Sequence, residues 1–396
     1  MAKLKIGIFG DGCLGLKERI RDGVTIDRRA WMRELTRLGH DVTYFSHRTK
    51  DPDFQCGNLF DKWKVSELEF EKTNIGAVFE EIEWPQLDIL VIESRTRIFG
   101  PYGSIMLQYM FLKHYMNTST EIMFWDFDIG NTLSIIGKPK RDGTIASIYA
   151  GAPYEENDPI FFQELMGARR YFTYLIPHDV GLLNEEEWPS NVNQYYFAQG
   201  VNEEFYNRFT DVLFLRKEYD LVYNGSDFNR REKFKAFYGD WSECCSVGLT
   251  GNWGSKKGSK EFLEQFPHLH MFGYLDTYET YEKLRLGKMM IQIGQKSYEK
   301  YGNFIQRLIE GCFTGTLTFA DSDLKTVDKY FIEDYVIEPG DVGEALDFIN
   351  SLSDKHYIQM VQDQRQHFLD AGYAWKDKVK VFLNIYDEVK YHPSKI

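Results

Sequence analysis

Apolar and polar positions along the chain form short buried runs separated by amphipathic segments. KIGIFG at 5–10, LDILVIES at 87–94 and EIMFWDFDIG at 121–130 are apolar runs that end at glycine or acidic residues, as buried parallel strands do. Between 26 and 38 the apolar positions follow helical spacing, Gly39 ends the helix, and DVTYF begins another strand. Strand, helix and strand in this order predict an α/β fold with doubly wound parallel sheets.

The same alternation returns near the C-terminal end, where the apolar run 289–293 stops at Gly294. A polar loop carrying Tyr298 leads to Asn303, which can cap a helix whose apolar residues have helical spacing. Gly315 ends that helix, and TLTFA begins another buried strand. A strand, an exposed loop and a helix in this order predict a ligand-binding corner.

Arg307 and Glu310 lie three residues apart on this helix and project from one face. An arginine one turn inside a helix N-terminus suits a diphosphate, because it adds a forked cation to free backbone N–H groups. The glutamate can accept hydrogen bonds from both hydroxyls of a ribose. The alternative interpretation is an ordinary surface ion pair, and the local sequence leaves both open.

Length and composition bound the class of protein. A chain of 396 residues, 43% of them hydrophobic, can form two domains with large cores. The five cysteines lack metal-ligand spacing, which indicates reduced thiols, a cytoplasmic location and no structural zinc site. MAKLKIGIFGDG has too few apolar residues for a signal peptide, and no stretch has the length of a membrane span. We expect a monomer without membrane association.

A basic segment stands out in a chain whose formal net charge is −13. The overall charge argues against non-specific attraction to nucleic acid, but a local patch can still contact phosphates. Lysine and arginine outnumber acidic residues between 17 and 37. The segment is therefore either a solvated helix face or a phosphate-contact surface. The candidate contacts to DNA are Arg19, Arg21, Arg28 and Arg29.

Three aspartates fall where a ligand crevice is expected. Asp126 and Asp128 follow the strand EIMFW, and residues just beyond the carboxyl ends of strands line the crevice of an open α/β sheet. A carboxylate there can act as a general base toward a hydroxyl acceptor, with a turn or capping aspartate as the structural alternative. Asp27 falls at the start of the helix after the first strand, at the mouth of the same crevice.

The order of the segments predicts two domains and a C-terminal helix. Residues 1–210 form the first domain, whose last strand and turn lie in YYFAQGVNEEFY. Residues 211–375 form the second, which opens with YDLVYNGSDFNRRE. The helix at 376–396 is expected to cross back to the first domain.

Together these features resemble the GT-B glycosyltransferases, and more narrowly the T-even bacteriophage DNA β-glucosyltransferase-like family. Over most of 219–369 the second domain is similar to that family. DLVYNGSDFNRRE resembles its glycine-serine-arginine loop, and SYEKYGNFIQRLIEG resembles its tyrosine, asparagine-phenylalanine and R-x-x-E segment. The first domain is similar more loosely, through KIGIFG, RIFG, FDIG and AQGVNEEF.

The resemblance implies a GT-B fold, in which two Rossmann-like doubly wound domains enclose a cleft. The first would bind the acceptor, double-stranded DNA, and the second a UDP-sugar. Asp128 would be the catalytic base, and Asp27 and Gln295 would lie near the sugar. A divalent cation, Mg²⁺ or Mn²⁺, is compatible with this donor, although no protein ligand set can be identified. The implied nucleotide-binding residues are Ser226, Arg231, Gly273, Tyr298, Arg307 and Glu310.

The implied activity is an inverting transfer of a sugar from a UDP-sugar to the hydroxymethyl group of modified cytosine in phage DNA. The base would have to flip out of the duplex, and the location would be the host cytoplasm. The loop after Ser226 is one residue shorter than in the family and lacks a clear counterpart of its second arginine. Gln295 replaces the family's aspartate, which leaves glucose and related sugars such as arabinose open. Two alternatives are a GT-B transferase acting on a glycan, protein or small molecule, and a nucleotide-sugar binding protein without turnover.

Overall fold

Two parallel sheets organise the chain. The computed structural model describes residues 2–9, 24–46, 55–58, 84–93, 114–125, 172–177, 179, 192–209, 216–227, 230–253, 258–325 and 327–391.

The first sheet has seven strands in the order β3-β2-β1-β4-β5-β6-β7, and each pairing between these strands is parallel. Its central strands are apolar runs such as ILVIE, which is buried on both faces, as a parallel strand covered on both sides must be. The strands are β1 (Lys5–Phe9), β2 (Asp41–Ser46), β3 (Gln55–Asn58), β4 (Ile89–Glu93), β5 (Glu121–Trp125), β6 (Phe172–Ile176) and β7 (Val192–Tyr196).

The second sheet repeats this topology with six parallel strands in the order β10-β9-β8-β11-β12-β13. In both sheets the strand order reverses beside the first strand, which confirms the predicted doubly wound α/β class. The strands are β8 (Tyr219–Asn224), β9 (Val247–Thr250), β10 (Leu269–Gly273), β11 (Gly287–Gln292), β12 (Leu317–Asp321) and β13 (Val336–Ile337).

The helices have local signals at several of their ends. Gly39, at φ +91°, follows the first of them as predicted, and an Asp276/Glu279 capping box starts the fifth. No helix in the described ranges is long and apolar enough to cross a membrane. The helices are α1 (Val24–Arg37), α2 (Glu203–Tyr206), α3 (Arg231–Phe234), α4 (Ser259–Leu263), α5 (Thr277–Leu284), α6 (Lys296–Tyr301), α7 (Gln306–Thr314), α8 (Val342–Ser351), α9 (Asp354–Asp370) and α10 (Trp375–Tyr391).

Helix α7 packs closely on the second sheet. A Cβ atom added at Gly311 would lie 2.3 Å from Met290 Cε and 2.3 Å from Thr318 Oγ1, so only glycine permits this approach to β11 and β12. The predicted cap is wrong, because α7 begins at Gln306 and the Asn303 side chain donates to the Phe304 carbonyl instead. Part of the predicted polar loop is helical and forms α6.

The contacts divide the chain into two compact units. One contains Met1–Glu18, Arg28–Ala198 and Val379–Ile396, and the other contains Arg19–Asp27 and Gln199–Lys378. The packing division falls after Ala198, while the sequence boundary at 210 stays a prediction. The second unit has its own core around β8, β9, β11 and β12, and this core carries the site described next.

Candidate functional site

The carboxyl ends of β8 and β11 meet at the point where the strand order of the second sheet reverses. Strand β8 ends at Asn224, and continuing the register of Met290 opposite Val222 places Gln292 beside it. The backbone then continues into Gly225 and Ser226 after β8. An open α/β sheet binds its ligands outside the carboxyl ends of such neighbouring strands. This edge is therefore the expected binding position in the second unit.

Glu310 is buried on α7 behind this edge. The Asn224 side chain donates a hydrogen bond of 3.1 Å to Glu310 Oε2, which fixes the carboxylate against the end of β8. Burial raises the pKa of Glu310, while the charge of Arg307 and hydrogen bonds from Tyr281 and Asn224 oppose the rise. A held carboxylate with accepting capacity to spare is suited to a ligand that carries hydroxyl groups.

Arg307 lies one turn before Glu310 and carries an unused donor. Its Nη1 atom is buried and has no hydrogen-bond partner among the described residues. A buried guanidinium N–H without an acceptor is costly, and an anionic ligand removes that cost. The interpretation of R-x-x-E as an exposed surface ion pair does not fit this environment.

Arg230 is a site residue that sequence reasoning missed. Its side chain is 2% exposed, its Nη1 donates to the Ser226 carbonyl at 3.2 Å, and its guanidinium lies 5.8 Å from the centre of the Tyr298 ring. Its Nε atom is buried without a hydrogen-bond partner in the described part of the chain. The doublet Arg230-Arg231 after GSDFN was the only signal, and it does not say which arginine turns inward.

Arg231, the predicted phosphate ligand, is already engaged. Its guanidinium forms an ion pair with Asp227 at 2.6 Å, donates to Ser259 Oγ at 3.0 Å, and lies 5.7 Å from the Phe262 ring centre. These contacts tie the loop after β8 to α4. Of the two adjacent arginines, it is therefore Arg230 that has a buried N–H without a partner among the described residues.

The remaining predicted nucleotide residues lie on the loops of the same sheet. Ser226 Oγ accepts a hydrogen bond from the Asn252 N–H at 3.3 Å. Gly273 ends β10 with φ +82°, and its carbonyl accepts from the Gly251 N–H at 3.0 Å. Gln295 precedes α6 and makes no side-chain capping bond. The structure therefore brings Arg307, Glu310, Ser226 and Tyr298 to one region and adds Arg230.

Asp27 is buried in the second unit, in the first turn of α1. Its Oδ1 accepts from Trp375 Nε1 at 2.7 Å and from the Gly200 N–H at 3.2 Å, while Oδ2 is buried without a hydrogen-bond partner among the described residues. Burial raises the pKa of Asp27 from 3.8 to about 7, although these two hydrogen bonds and the charge of Lys378 lower it. Burial likewise lowers the pKa of Lys378 from 10.5 to about 7.

Two of the four arginines predicted to contact DNA are buried. Arg28 is 2% exposed, and its Nε and Nη2 atoms donate to the two carboxylate oxygens of Glu93, which is itself fully buried. Arg29 is 5% exposed. The prediction of an exposed phosphate-contact surface is therefore wrong for Arg28, because this bidentate pair within the first unit occupies its guanidinium.

Four further predicted residues lie outside the described part of the chain. These are the catalytic candidate Asp128, its alternative Asp126, and the DNA-contact candidates Arg19 and Arg21. Within the described residues, no group of three or more histidine, cysteine, aspartate or glutamate side chains is placed to hold a metal ion.

Comparison with known proteins defines the class of the fold. A search of protein-family models finds no match, and a search of curated proteins finds none either. Solved structures of glycosyltransferases match nearly the whole chain, and the fold is GT-B, with two Rossmann-like domains. One match is T4 phage β-glucosyltransferase in complex with UDP-glucose, at TM-score 0.61 and 15% identity over 97% of this chain and 100% of that chain.

Other matches extend beyond that enzyme. A glycosyltransferase from Rickettsia africae has TM-score 0.55 and 13% identity, covering 98% of this chain and 99% of its own. Sucrose-phosphate synthase from Thermosynechococcus elongatus has TM-score 0.58 and 12% identity, covering 97% and 99%. At these identities the likeness establishes the fold alone.

Proposed function

We propose that the protein is a UDP-sugar-dependent glycosyltransferase. The observation that carries this proposal is the pairing of a held, buried carboxylate on Glu310 with unpaired guanidinium N–H groups on Arg230 and Arg307. A nucleoside diphosphate offers ribose hydroxyls to the first and phosphate oxygens to the second. A solved structure of the same fold contains UDP-glucose, which supports the assignment.

The nucleotide would lie across the carboxyl ends of β8 and β11. Glu310 accepts hydrogen bonds from the ribose hydroxyls, and Arg307 and Arg230 bind the diphosphate. Ser226 adds a hydroxyl beside Arg230, and the ring of Tyr298 covers that guanidinium. Gly273 contributes backbone at the end of β10. Asp27 and Gln295 are the candidates for the sugar.

We propose a direct displacement as the chemical step. Asp128 removes the proton of the acceptor hydroxyl, whose oxygen then attacks the anomeric carbon on the face opposite the diphosphate. The bond from that carbon to the diphosphate oxygen breaks, UDP leaves with the electron pair, and the configuration inverts. The cationic arginines stabilise the charge that develops on the leaving diphosphate.

The proposed acceptor is the hydroxymethyl group of a modified cytosine in double-stranded DNA, presented by base flipping. This part of the proposal rests on the likeness to a β-glucosyltransferase described as a DNA-modifying enzyme. A glycan, protein or small-molecule acceptor is the second candidate. The buried Arg28–Glu93 pair favours that candidate, because it removes one predicted DNA contact from a chain with a net charge of −13.

Nucleoside mass spectrometry tests the acceptor. The protein is incubated with hydroxymethylated or unmodified duplex DNA and with UDP-glucose, UDP-galactose or UDP-arabinose, and the digested nucleosides are weighed. We expect one glycosyl addition to hydroxymethylcytosine and none to unmodified DNA. If UDP binds in calorimetry but no nucleoside gains a sugar, the DNA acceptor is excluded. Release of UDP only with a non-DNA acceptor would support the second candidate.

A further inference from the structure

Three amide side chains between the end of β11 and the start of α7 share one unusual arrangement. Gln292, Asn303 and Gln306 each donate a hydrogen bond to a main-chain carbonyl, at 2.6, 3.0 and 3.2 Å. The side-chain oxygen of each is buried without a hydrogen-bond partner among the described residues. Because a carbonyl can only accept, these bonds fix which end of each amide carries the nitrogen. Each residue therefore presents an unpaired acceptor.

Gln306 is the member of this set that lies beside Asp27. The carbonyl of Gly200 accepts from Gln306 Nε2, and the N–H of the same residue donates to Asp27 Oδ1 at 3.2 Å. Gly200 is held closely, since an added Cβ atom would lie 2.8 Å from the Tyr373 carbonyl oxygen. Gly200 therefore hydrogen-bonds both side chains. Gln306 Oε1 and Asp27 Oδ2 each remain without a hydrogen-bond partner among the described residues.

The nitrogen of Gln306 is already engaged, because it donates to the Gly200 carbonyl. Its oxygen, Oε1, is the buried atom of this amide that has no hydrogen-bond partner among the described residues. A ligand at this position must therefore supply hydrogen-bond donors, which hydroxyl groups do and phosphate oxygens do not.

We infer that Gln306, with Asp27, accepts hydrogen bonds from hydroxyl groups of the transferred sugar and so helps to determine donor specificity. This inference rests on the proposed function. Along α7 the ribose carboxylate Glu310, the diphosphate ligand Arg307 and Gln306 follow one another toward the N-terminus, with a rise of about 1.5 Å per residue. A UDP-sugar has its ribose, diphosphate and sugar in the same order.

Calorimetry with UDP, UDP-glucose and the monodeoxy analogues of UDP-glucose tests this inference. Gln306→Met keeps the size of the side chain and removes its acceptor. We expect it to weaken UDP-glucose binding about 3- to 10-fold, the effect of roughly one net hydrogen bond, and to leave UDP binding unchanged. The analogue that lacks the contacted hydroxyl should bind wild type and variant equally.

Two further variants control the experiment. Gln265→Met is the matched control, because Gln265 also donates to a main-chain carbonyl, that of Glu261 at 3.2 Å, but is exposed. Gln265→Met should change neither the UDP affinity nor the UDP-glucose affinity. At a pH above the folded pKa of Asp27, which is about 7, Asp27→Asn keeps Oδ1 for Trp375 and Gly200 and replaces the ionised Oδ2 by a donor. It should then also weaken UDP-glucose binding selectively. This second variant decides the question if Gln306→Met does not fold.

The outcomes separate this inference from the proposed function. Equal losses for UDP and UDP-glucose would show that Gln306 only supports α7 and would overturn the inference. Unchanged affinities in both Gln306→Met and Asp27→Asn would overturn it as well. A wild-type protein that binds neither UDP nor UDP-glucose would instead remove the proposed function on which the inference rests.

Discussion

Each unit contains an arginine close to a buried glutamate, on α1 and β4 in the first unit and three residues apart on α7 in the second, but the two units use these residues differently. In the first unit Arg28 donates to both carboxylate oxygens of Glu93, and the pair is closed. In the second unit Asn224 holds Glu310, and Arg307 keeps an unpaired Nη1. In the closed pair the arginine and the glutamate satisfy each other within the fold. In the open pair the arginine keeps an N–H group that a ligand can accept from. The difference depends on a third residue, not on the arginine or the glutamate.

The largest expected effect concerns catalysis. Asp128→Asn preserves the shape of the side chain but cannot take a proton, so turnover should fall by roughly 10²- to 10⁴-fold while UDP still binds. Glycosyl transfer and UDP affinity are measured in the same preparation. Normal turnover in Asp128→Asn combined with loss in Asp126→Asn would move the role by two residues. Normal turnover in both would remove a carboxylate base after this strand.

The closed pair should be essential for stability. Arg28→Met removes the two hydrogen bonds that Arg28 donates to the buried Glu93, and we expect the free energy of unfolding to fall by about 3–5 kcal/mol. The exposed pair of Arg37 and Glu34 provides the control, since Arg37→Met should cost less than about 1 kcal/mol. Urea denaturation measures both. If Arg28→Met is as stable as wild type but binds DNA more weakly and with a smaller salt dependence, Arg28 contacts DNA as the sequence predicted.

The two arginines with unpaired N–H groups, Arg307 and Arg230, should matter for binding more than for stability. Arg307→Ala and Arg230→Ala should each remove a proposed charge-assisted contact to the diphosphate, worth roughly 1.5–3 kcal/mol, or about 10- to 150-fold in UDP affinity. Arg231→Ala should cost less, because that guanidinium serves Asp227 and Ser259. Calorimetry on the three variants ranks them. A greater loss in Arg231→Ala than in Arg230→Ala would reverse the assignment within the doublet.

The smallest effect is a pH dependence of stability from Asp27. Its folded pKa of about 7 lies above the ordinary 3.8, so its stabilising contribution is full below about pH 4 and is lost as the pH rises to 7. Asp27→Asn removes this dependence. Its stability relative to wild type should therefore increase between pH 5 and 6.5, by at most about 2 kcal/mol.

The charged groups around Asp27 do not reverse the expected rise with pH in the stability of Asp27→Asn relative to wild type. Lys378 faces Asp27 and has its pKa lowered to about 7 by burial, and its release of a proton in the variant would act in the same direction. The charge of Glu310 raises the pKa of Asp27 and is present in both proteins. Thermal unfolding at the two pH values measures the difference. A constant difference would mean that Asp27 is ionised across this range.

The sequence predicted more of the fold than of the site. Buried apolar runs such as ILVIE and helices ended by Gly39 and Gly315 are local signals, because burial on both faces and positive φ angles constrain the residues themselves. The predicted cap at Asn303 was wrong, because α7 begins at Gln306 and Asn303 Oδ1, the atom that would accept from a helix N–H, has no hydrogen-bond partner among the described residues. The local sequence does not rank alternative starting points of a helix.

What the sequence determined by itself was the two doubly wound sheets and the helix that carries Arg307 and Glu310. Only the tertiary structure decided which charged side chains are fully hydrogen-bonded within the fold and which keep an unpaired donor. Arg230 and Arg231 are adjacent and chemically identical, and Asp227 and Ser259 make one a loop anchor. Arg28 likewise meets Glu93, 65 residues away. Ser259 and Glu93 lie 28 and 65 residues from the arginines that they bind, so a local pattern does not encode which buried groups are satisfied.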